Sequence, residues 1–259
     1  MKIALIQMEV IEKNKPQNVQ HGLDLLRGVC EGTNVAVLPE MWTTGYSIGK
    51  LSEQAEHIDG SLTEELASIA TQKNMYIVAG SMAMHGDNGF YNTTLVFAPR
   101  IGLIDAYNKI HLFSLFNEQN MVNAGNERKV LDIAGVPSGL AICYDMRFPE
   151  LGRAMAQDGA KIIYIPAEWP TVRGYAWELA AKGFALFNQS FVCAVNCAGS
   201  FKGQEFYGHS MLVSPWGEVL AMAQGASEEI VYAQVDVDEV DNARSTMSML
   251  KDVRWDLYK

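Results

Sequence analysis

The segment Leu140–Leu151 reads LAICYDMRFPEL: an apolar run reaches one cysteine, and a tyrosine, charged residues and a proline follow at once. A short apolar run halted by polar residues and proline marks a buried strand giving way to a turn. Two readings of Cys143 are open on this stretch alone. Free cysteine is a small hydrophobe that commonly fills cores. A thiol held at a strand end is also a candidate nucleophile.

The same kind of run recurs along the chain. KIALIQM (2–8), NVAVLPE (34–40), MYIVAGS (75–81), NTTLVFA (92–98), AKIIYIP (160–166), SFVCAVN (190–196), HSMLVSP (209–215) and EIVYAQVD (229–236) all have strand length and composition. Several lack clean alternation, as strands covered on both faces do. Between them lie helical patterns. Residues 16–30 place Val19, Leu23, Leu26 and Cys30 on one face at spacings of three and four. Residues 61–74 open with Ser61 and carry Glu64 three positions on, the pattern of a capping box. Residues 174–189 are apolar around much of the circumference, as a well-buried helix is. Strands alternate with helices in the first and third quarters, whereas 75–110 and 205–236 look antiparallel. The mixture predicts an α/β fold of packed sheets with helices outside. No linker tract or short repeat divides the 259 residues, so one domain over 1–259 is expected.

Composition narrows the function classes. With 49% hydrophobic and 19% charged residues the chain can bury a sizeable core, and a net charge of −10 argues against a nucleic-acid partner. The opening apolar run is too short for a signal peptide and no stretch is long enough to span a membrane, so a cytoplasmic protein is expected. Cys30, Cys143, Cys193 and Cys197 suggest no disulfide framework, and no Cys or His pair completes a zinc site around Cys193 and Cys197.

Three polar residues stand at strand ends: Glu40 after NVAVLP, Lys109 after LIDAYN and Cys143. Each alone has a plain alternative: an exposed acid, a snorkelling lysine, a core cysteine. Together they are complementary. A carboxylate of raised pKa takes the thiol proton and returns it to a leaving group. A buried ammonium and a backbone N–H just after the nucleophile stabilise a tetrahedral oxyanion. A nearby base or cation lowers the pKa of a thiol, which is the expectation for Cys143.

LPEMWTTGY, YNKIHLF and GLAICYDMRFPEL resemble, in order, the three signature segments of the nitrilase superfamily of carbon–nitrogen hydrolases. GSMAMHGDNGFYNTTLVFAP, PAEWP, NQSFVCAVNCAGS and GHSMLVSPWGEVLA extend the resemblance over essentially the whole chain. It implies a four-layer α-β-β-α sandwich whose protomers pair. It also implies Glu40 as general base, Lys109 and the Tyr144 N–H as the oxyanion hole, Cys143 as nucleophile and Glu118 as the acid that orients the lysine and the hydrolytic water. A buried lysine needs such a charge partner to stay protonated. The implied reaction cleaves a small-molecule amide through a thioester, without metal or organic cofactor.

LPEMWTTGY, PAEWPTVR and DVRWDLY look most like the omega-amidase branch, which acts on the terminal amide of 2-oxo acids such as 2-oxoglutaramate. An anionic substrate end calls for cations and hydroxyl donors, for which Arg147, Arg173 and Tyr46 are candidates. Arg147 has the alternative of pairing with Asp145 or Glu150, and Arg173 that of plain surface exposure. Trp42 and Trp169 are candidate pocket walls, with core packing as the alternative. His111 and His209 read as structural, since a lysine and two glutamates already fill the roles. Other branches share this catalytic set: aliphatic amidase, nitrilase, N-carbamoyl-amino-acid hydrolase and deaminated-glutathione-type amidase. A non-catalytic interaction protein retaining the fold is the alternative from another class. One departure from the family pattern is clear: Phe184 and Phe187 stand where relatives carry an arginine and a glutamate. The segment about 245–259, with Trp255, Leu257 and Tyr258, is too apolar for a free tail and is expected to pack on the body or on a partner subunit.

Overall fold

The computed structural model describes residues 1–46 and 51–257. Its architecture can be read along one strand, β1 (Lys2–Gln7), which is buried almost throughout. Ile3 and Leu5 enter the core shared with a second sheet. Ala4 and Ile6 instead pack with Leu23 and Leu26 of helix α1 (Lys15–Gly28) and with Leu62 and Leu66 of α3 (Ser61–Lys73). Successive side chains leave a strand on opposite faces, so a strand covered twice needs an unbroken apolar run. β3 (Val35–Val37) divides in the same way, with Val35 and Val37 toward the other sheet and Ala36 toward the helices.

The first sheet runs β16 (Glu229–Gln234), β1, β3, β4 (Tyr76–Val78), β6 (Gly89–Ala98) and β5 (Met82–Gly86), with β7 (Gly102–Asn108) also paired to β6. β1, β3 and β4 are parallel; β5, β6 and β7 pair antiparallel. The second sheet runs β15 (Val219–Met222), β14 (Met211–Val213), β11 (Phe191–Asn196), β10 (Ile162–Ala167), β9 (Val136–Leu140) and β8 (Lys129–Ile133). Its parallel trio β9, β10 and β11 is joined through α4 (Pro149–Gln157) and α5 (Gly174–Asn188). Helices thus cover the outer faces and the two sheets meet inside, giving the expected four layers. A small sheet of β2 (Glu9–Val10), β12 (Ala198–Phe201) and β13 (Gln204–Glu205) bridges chain segments that leave β1 and β11. Helices α2 (Leu51–Gln54), α6 (Asp238–Thr246) and α7 (Met249–Asp252) complete the described α-helices. None of the described helices is long and apolar enough to cross a membrane.

Several local expectations change. α3 is capped by Gly60, with Ser61 already inside the helix and no side-chain cap bond, so the capping box does not form. α1 ends at Gly28, which leaves Cys30 exposed beyond the helix rather than on its apolar face. The 205–236 region is not one run of hairpins: β14 and β15 pair, but β16 crosses to lie antiparallel to β1. Val231 and Ala233 of β16 thereby reach the inter-sheet core. At the C-terminus α7 lies against α4, while Trp255 and Leu257 stay largely exposed. Tyr258 lies outside the described residues.

One close approach sets the position of Glu40. Gly80 follows β4 with φ +55°, and a Cβ there would sit 2.0 Å from the Pro39 carbonyl oxygen. Only glycine permits that backbone contact without strain. The next residue completes the clamp: Ser81 N–H donates to Pro39 O (3.1 Å), and Ser81 Oγ accepts from Met41 N–H (3.0 Å). The turn carrying Glu40 is therefore tied to the neighbouring strand end on both sides of that residue.

Candidate active site

Four strand ends from the two sheets converge. Glu40 follows β3, Lys109 follows β7, Cys143 opens a 3-10 turn (Cys143–Arg147) beyond β9, and Glu168 follows β10. Glu40 and Lys109 are wholly inaccessible to solvent and Glu118 nearly so. The Lys109 ammonium has three protons and three kinds of acceptor. It donates to Glu40 Oε1 (2.8 Å), Glu118 Oε2 (2.9 Å) and the Tyr46 hydroxyl (3.0 Å). Tyr46 in turn donates its own proton to Glu40 Oε1 (2.6 Å). Asn92 Nδ2 donates to Oε1 of both glutamates at 2.9 Å. The Phe113 N–H reaches Glu118 Oε2 (2.6 Å), and the Glu168 N–H reaches Glu40 Oε2 (2.9 Å). Sequence reading brought Glu40, Lys109, Glu118 and Cys143 together, and the structure places them together.

Burial alone would push the Lys109 ammonium down; the charges of Glu40 and then Glu118 outweigh it and hold Lys109 above its ordinary range. Cys143 moves up as well, first through burial and then through the charge of Glu40, with Lys109 opposing. The expectation of a lowered thiol pKa is thus reversed. Two carboxylates surround the one ammonium, so little positive field remains for the sulfur, and the resting group is a neutral thiol with a carboxylate beside it.

Cys143 sits at φ 45°, in the left-handed region, which costs a Cβ-bearing residue about 1 kcal/mol or more. Asp145 holds it there. The buried Asp145 carboxylate accepts from the Ile142 N–H (2.9 Å), the Tyr107 hydroxyl (2.7 Å), and the His111 N–H and Nδ1 (2.9 and 2.8 Å). A carboxylate only accepts, so the His111 proton lies on Nδ1. The turn of the cysteine is thus bound to the strand that delivers Lys109. His111 stacks on Phe148 and serves this frame, while His209 bonds the Tyr207 carbonyl through Nδ1.

A small cavity, open at one side, leads to Cys143. Phe113, Phe116, Tyr144 and Trp169 form its walls, and Arg147 and Arg173 also line it. Arg147 lies over the Trp169 ring (5.0 Å) and Arg173 over Phe113 (5.4 Å). The suggested Arg147–Asp145 pair does not form, because Asp145 is taken up by the bonds above. Tyr46 lines the cavity, but its hydroxyl proton is committed to Glu40. Trp42 is corrected. It is fully buried, donates its indole N–H to Ala79 O (2.9 Å) and packs against α1 at Gly22, away from the cavity.

Sequence reading missed Asn92, Asp145 and Glu168. Asn92 left a signal, since asparagine is disfavoured inside a strand unless its amide is used. Glu168 ends the run IIYIPAE as Glu40 ends VAVLPE, so the same strand-end criterion points to both.

The family model described as carbon-nitrogen hydrolase matches residues 2–245. A 2-oxoglutaramate amidase of Bacillus subtilis is 37% identical, the alignment covering 99% of this chain and 98% of that protein. The human omega-amidase NIT2 is 34% identical over 99% of this chain and 96% of its own length. Among solved structures, Saccharomyces cerevisiae Nit3, a member of branch 10 of the nitrilase superfamily, superposes with a TM-score of 0.88 at 31% identity, covering 98% of this chain and 96% of that one. XC1258 of Xanthomonas campestris, a CN-hydrolase superfamily protein with an arsenic adduct in its active site, gives 0.90 at 26% identity over 98% and 97%. Sequence over nearly the full length and fold over both sheets agree, and the chain belongs to the carbon–nitrogen hydrolase family.

Proposed function

We propose that this chain hydrolyses the terminal amide of a small 2-oxo acid, with 2-oxoglutaramate as the type substrate, through a thioester on Cys143. The observation that carries the reading is the neutral Cys143 thiol beside the sealed Glu40–Lys109–Glu118 cluster, at the end of a cavity lined by two guanidinium groups. The names of the relatives at 37% and 34% identity support the substrate class.

Glu40 takes the thiol proton as sulfur bonds to the amide carbon. The carbonyl oxygen becomes an oxyanion held by Lys109 and the Tyr144 N–H. All three Lys109 protons are engaged beforehand, so the oxyanion takes over the one given to the Tyr46 hydroxyl, the one uncharged acceptor among its three. The tetrahedral species expels ammonia as Glu40 returns its proton to nitrogen. Water then gives a proton to Glu40 and its oxygen to the thioester carbon; the thiolate leaves, is reprotonated, and the carboxylic acid departs. Glu118 fixes Lys109 and orients that water. Arg147 and Arg173 bind the carboxylate end of the substrate, which a planar fork does with two parallel bonds, and Trp169 walls the acyl chain.

A second copy of the chain is the proposed partner. Val172, Tyr175, Leu179 and Leu186 form an exposed apolar stripe along α5 and the turn before it, with Phe187 beside it. A contiguous apolar patch of this kind marks a protein interface.

Three outcomes are expected. Ammonia release across 2-oxoglutaramate, 2-oxosuccinamate, glutamine, N-carbamoyl amino acids and nitriles is fastest for the 2-oxo acid amides, and Cys143→Ala lowers it by about 10⁴-fold or more without shifting the thermal midpoint. Preference for another class, or activity surviving in Cys143→Ala, contradicts the assignment. In a pH titration of thiolate absorbance, the difference between the protein and Cys143→Ser rises only above the ordinary thiol value of 9.0; a rise near neutrality would mean a preformed thiolate. Light scattering gives the mass of a dimer or a multiple of it, which Leu179→Glu lowers toward that of the monomer; a monomeric wild-type protein excludes the pairing.

A further inference from the structure

Glu168 is 2% exposed, and neither of its carboxyl oxygens makes a well-formed hydrogen bond among the described residues, although the Tyr46 N–H acts on the carboxyl from nearby. Buried carboxyls are nearly always paired, so an orphaned one calls for an explanation in function. Behind the side chain lies a narrow gap, lined by Val10, Glu12, Gly45, Ser200, Phe201 and Phe206, with no room for a water molecule. In front of it lies the cavity that ends at Cys143. A partner for Glu168 must therefore enter by the substrate's route.

We propose that Glu168 selects a primary carboxamide, one oxygen of its carboxyl accepting an N–H of the amide nitrogen that leaves as ammonia. The inference rests on the amide hydrolysis at Cys143 proposed above. Its geometry follows from the two oxygens of Glu40. Oε1 faces Lys109, where the substrate's carbonyl oxygen goes. Oε2 accepts the Glu168 N–H at 2.9 Å, and that same N–H acts on the Cys143 sulfur. With carbon on sulfur and oxygen turned to Lys109, the nitrogen is turned to the Oε2 side, where Glu168 is anchored.

Charge suits this role. Burial first, then the charge of Glu40, pushes the Glu168 carboxyl well above the ordinary range, while Lys109 and the Tyr46 N–H oppose the shift and Glu118 adds to it. A carboxyl shifted this way toward its neutral form keeps an accepting oxygen while adding less negative charge to the cluster. An amide NH₂ supplies the donor; esters and nitriles have none.

The test compares kcat/KM for the primary amide and for the methyl ester of one 2-oxo acid, in wild type, Glu168→Leu and Glu168→Gln. Wild type turns over both. Glu168→Leu is expected to lose about ten- to a hundredfold on the amide, the scale of one buried hydrogen bond lost, and to stay within about threefold on the ester. Glu168→Gln keeps an accepting carbonyl and stays within about fivefold on both. If Glu168→Leu does not fold, Glu168→Met, closer in length, replaces it with the same expectation. An unchanged amide rate in the apolar variant overturns the proposal, as does an equal fall on amide and ester, which would mean a merely structural residue. A Glu168→Gln loss matching that of Glu168→Leu also overturns it. Wild type inert toward both substrates would instead defeat the hydrolase reading, and this inference with it.

Discussion

An ammonium with no access to water sits between two carboxylates, and the rest of the site depends on it. Removing ions from water costs several kcal/mol each, which is recovered only if every lone pair and proton finds a partner. Here the partners are complete: Lys109 spends its protons on Glu40, Glu118 and Tyr46, and Asn92 and two backbone N–H groups cover the remaining carboxylate positions. The cluster carries one positive and two negative charges. That balance keeps the lysine charged and the thiol neutral, so the chemistry begins with a base beside a thiol rather than with a stored thiolate.

No single layer of the fold contains this site. Glu40 and Lys109 come from the first sheet, Cys143 and Glu168 from the second, and Glu118 from a short 3-10 turn (Glu118–Asn120) between them in sequence. The groups meet only because apolar residues such as Ile3, Leu5, Leu140 and Tyr164 press the sheets together. Two polar ties then fix the register. Asp145 binds the cysteine turn to the strand of Lys109, and the Glu168 N–H binds the second sheet to Glu40. Packing energy thereby positions a charge cluster that would otherwise be too costly to bury.

Much of this was legible in the sequence where one residue type has one physical use. The apolar runs mark most strands of both sheets, because strands buried on two faces need them, whereas β5, β8 and β15 carry no such run. Glu40, Lys109 and Cys143 stood out as polar residues ending such runs. What escaped depended on contacts distant in the chain. Ser61 looked like a cap, but Gly60 holds that place. Trp42 looked like a pocket wall because of its neighbour Glu40, yet its ring turns toward Gly22 of α1. The direction of the Cys143 shift required knowing that two carboxylates, not one, share the lysine. Glu168 follows the same strand-end rule as Glu40, but its place beside Glu40 depends on the second sheet meeting the first.

The measurement that bears most directly on a neutral thiol served by a buried base is rapid acid quench of the protein turning over 2-oxoglutaramate, followed by intact-mass and peptide analysis. Acid preserves a thioester. The predicted result is a transient adduct of the substrate's mass less ammonia, on the peptide containing Cys143, formed together with the first equivalent of ammonia. Steady release of ammonia with an adduct on a different residue, or with no adduct in Glu40→Gln and wild type alike at every quench time, would contradict covalent catalysis at Cys143.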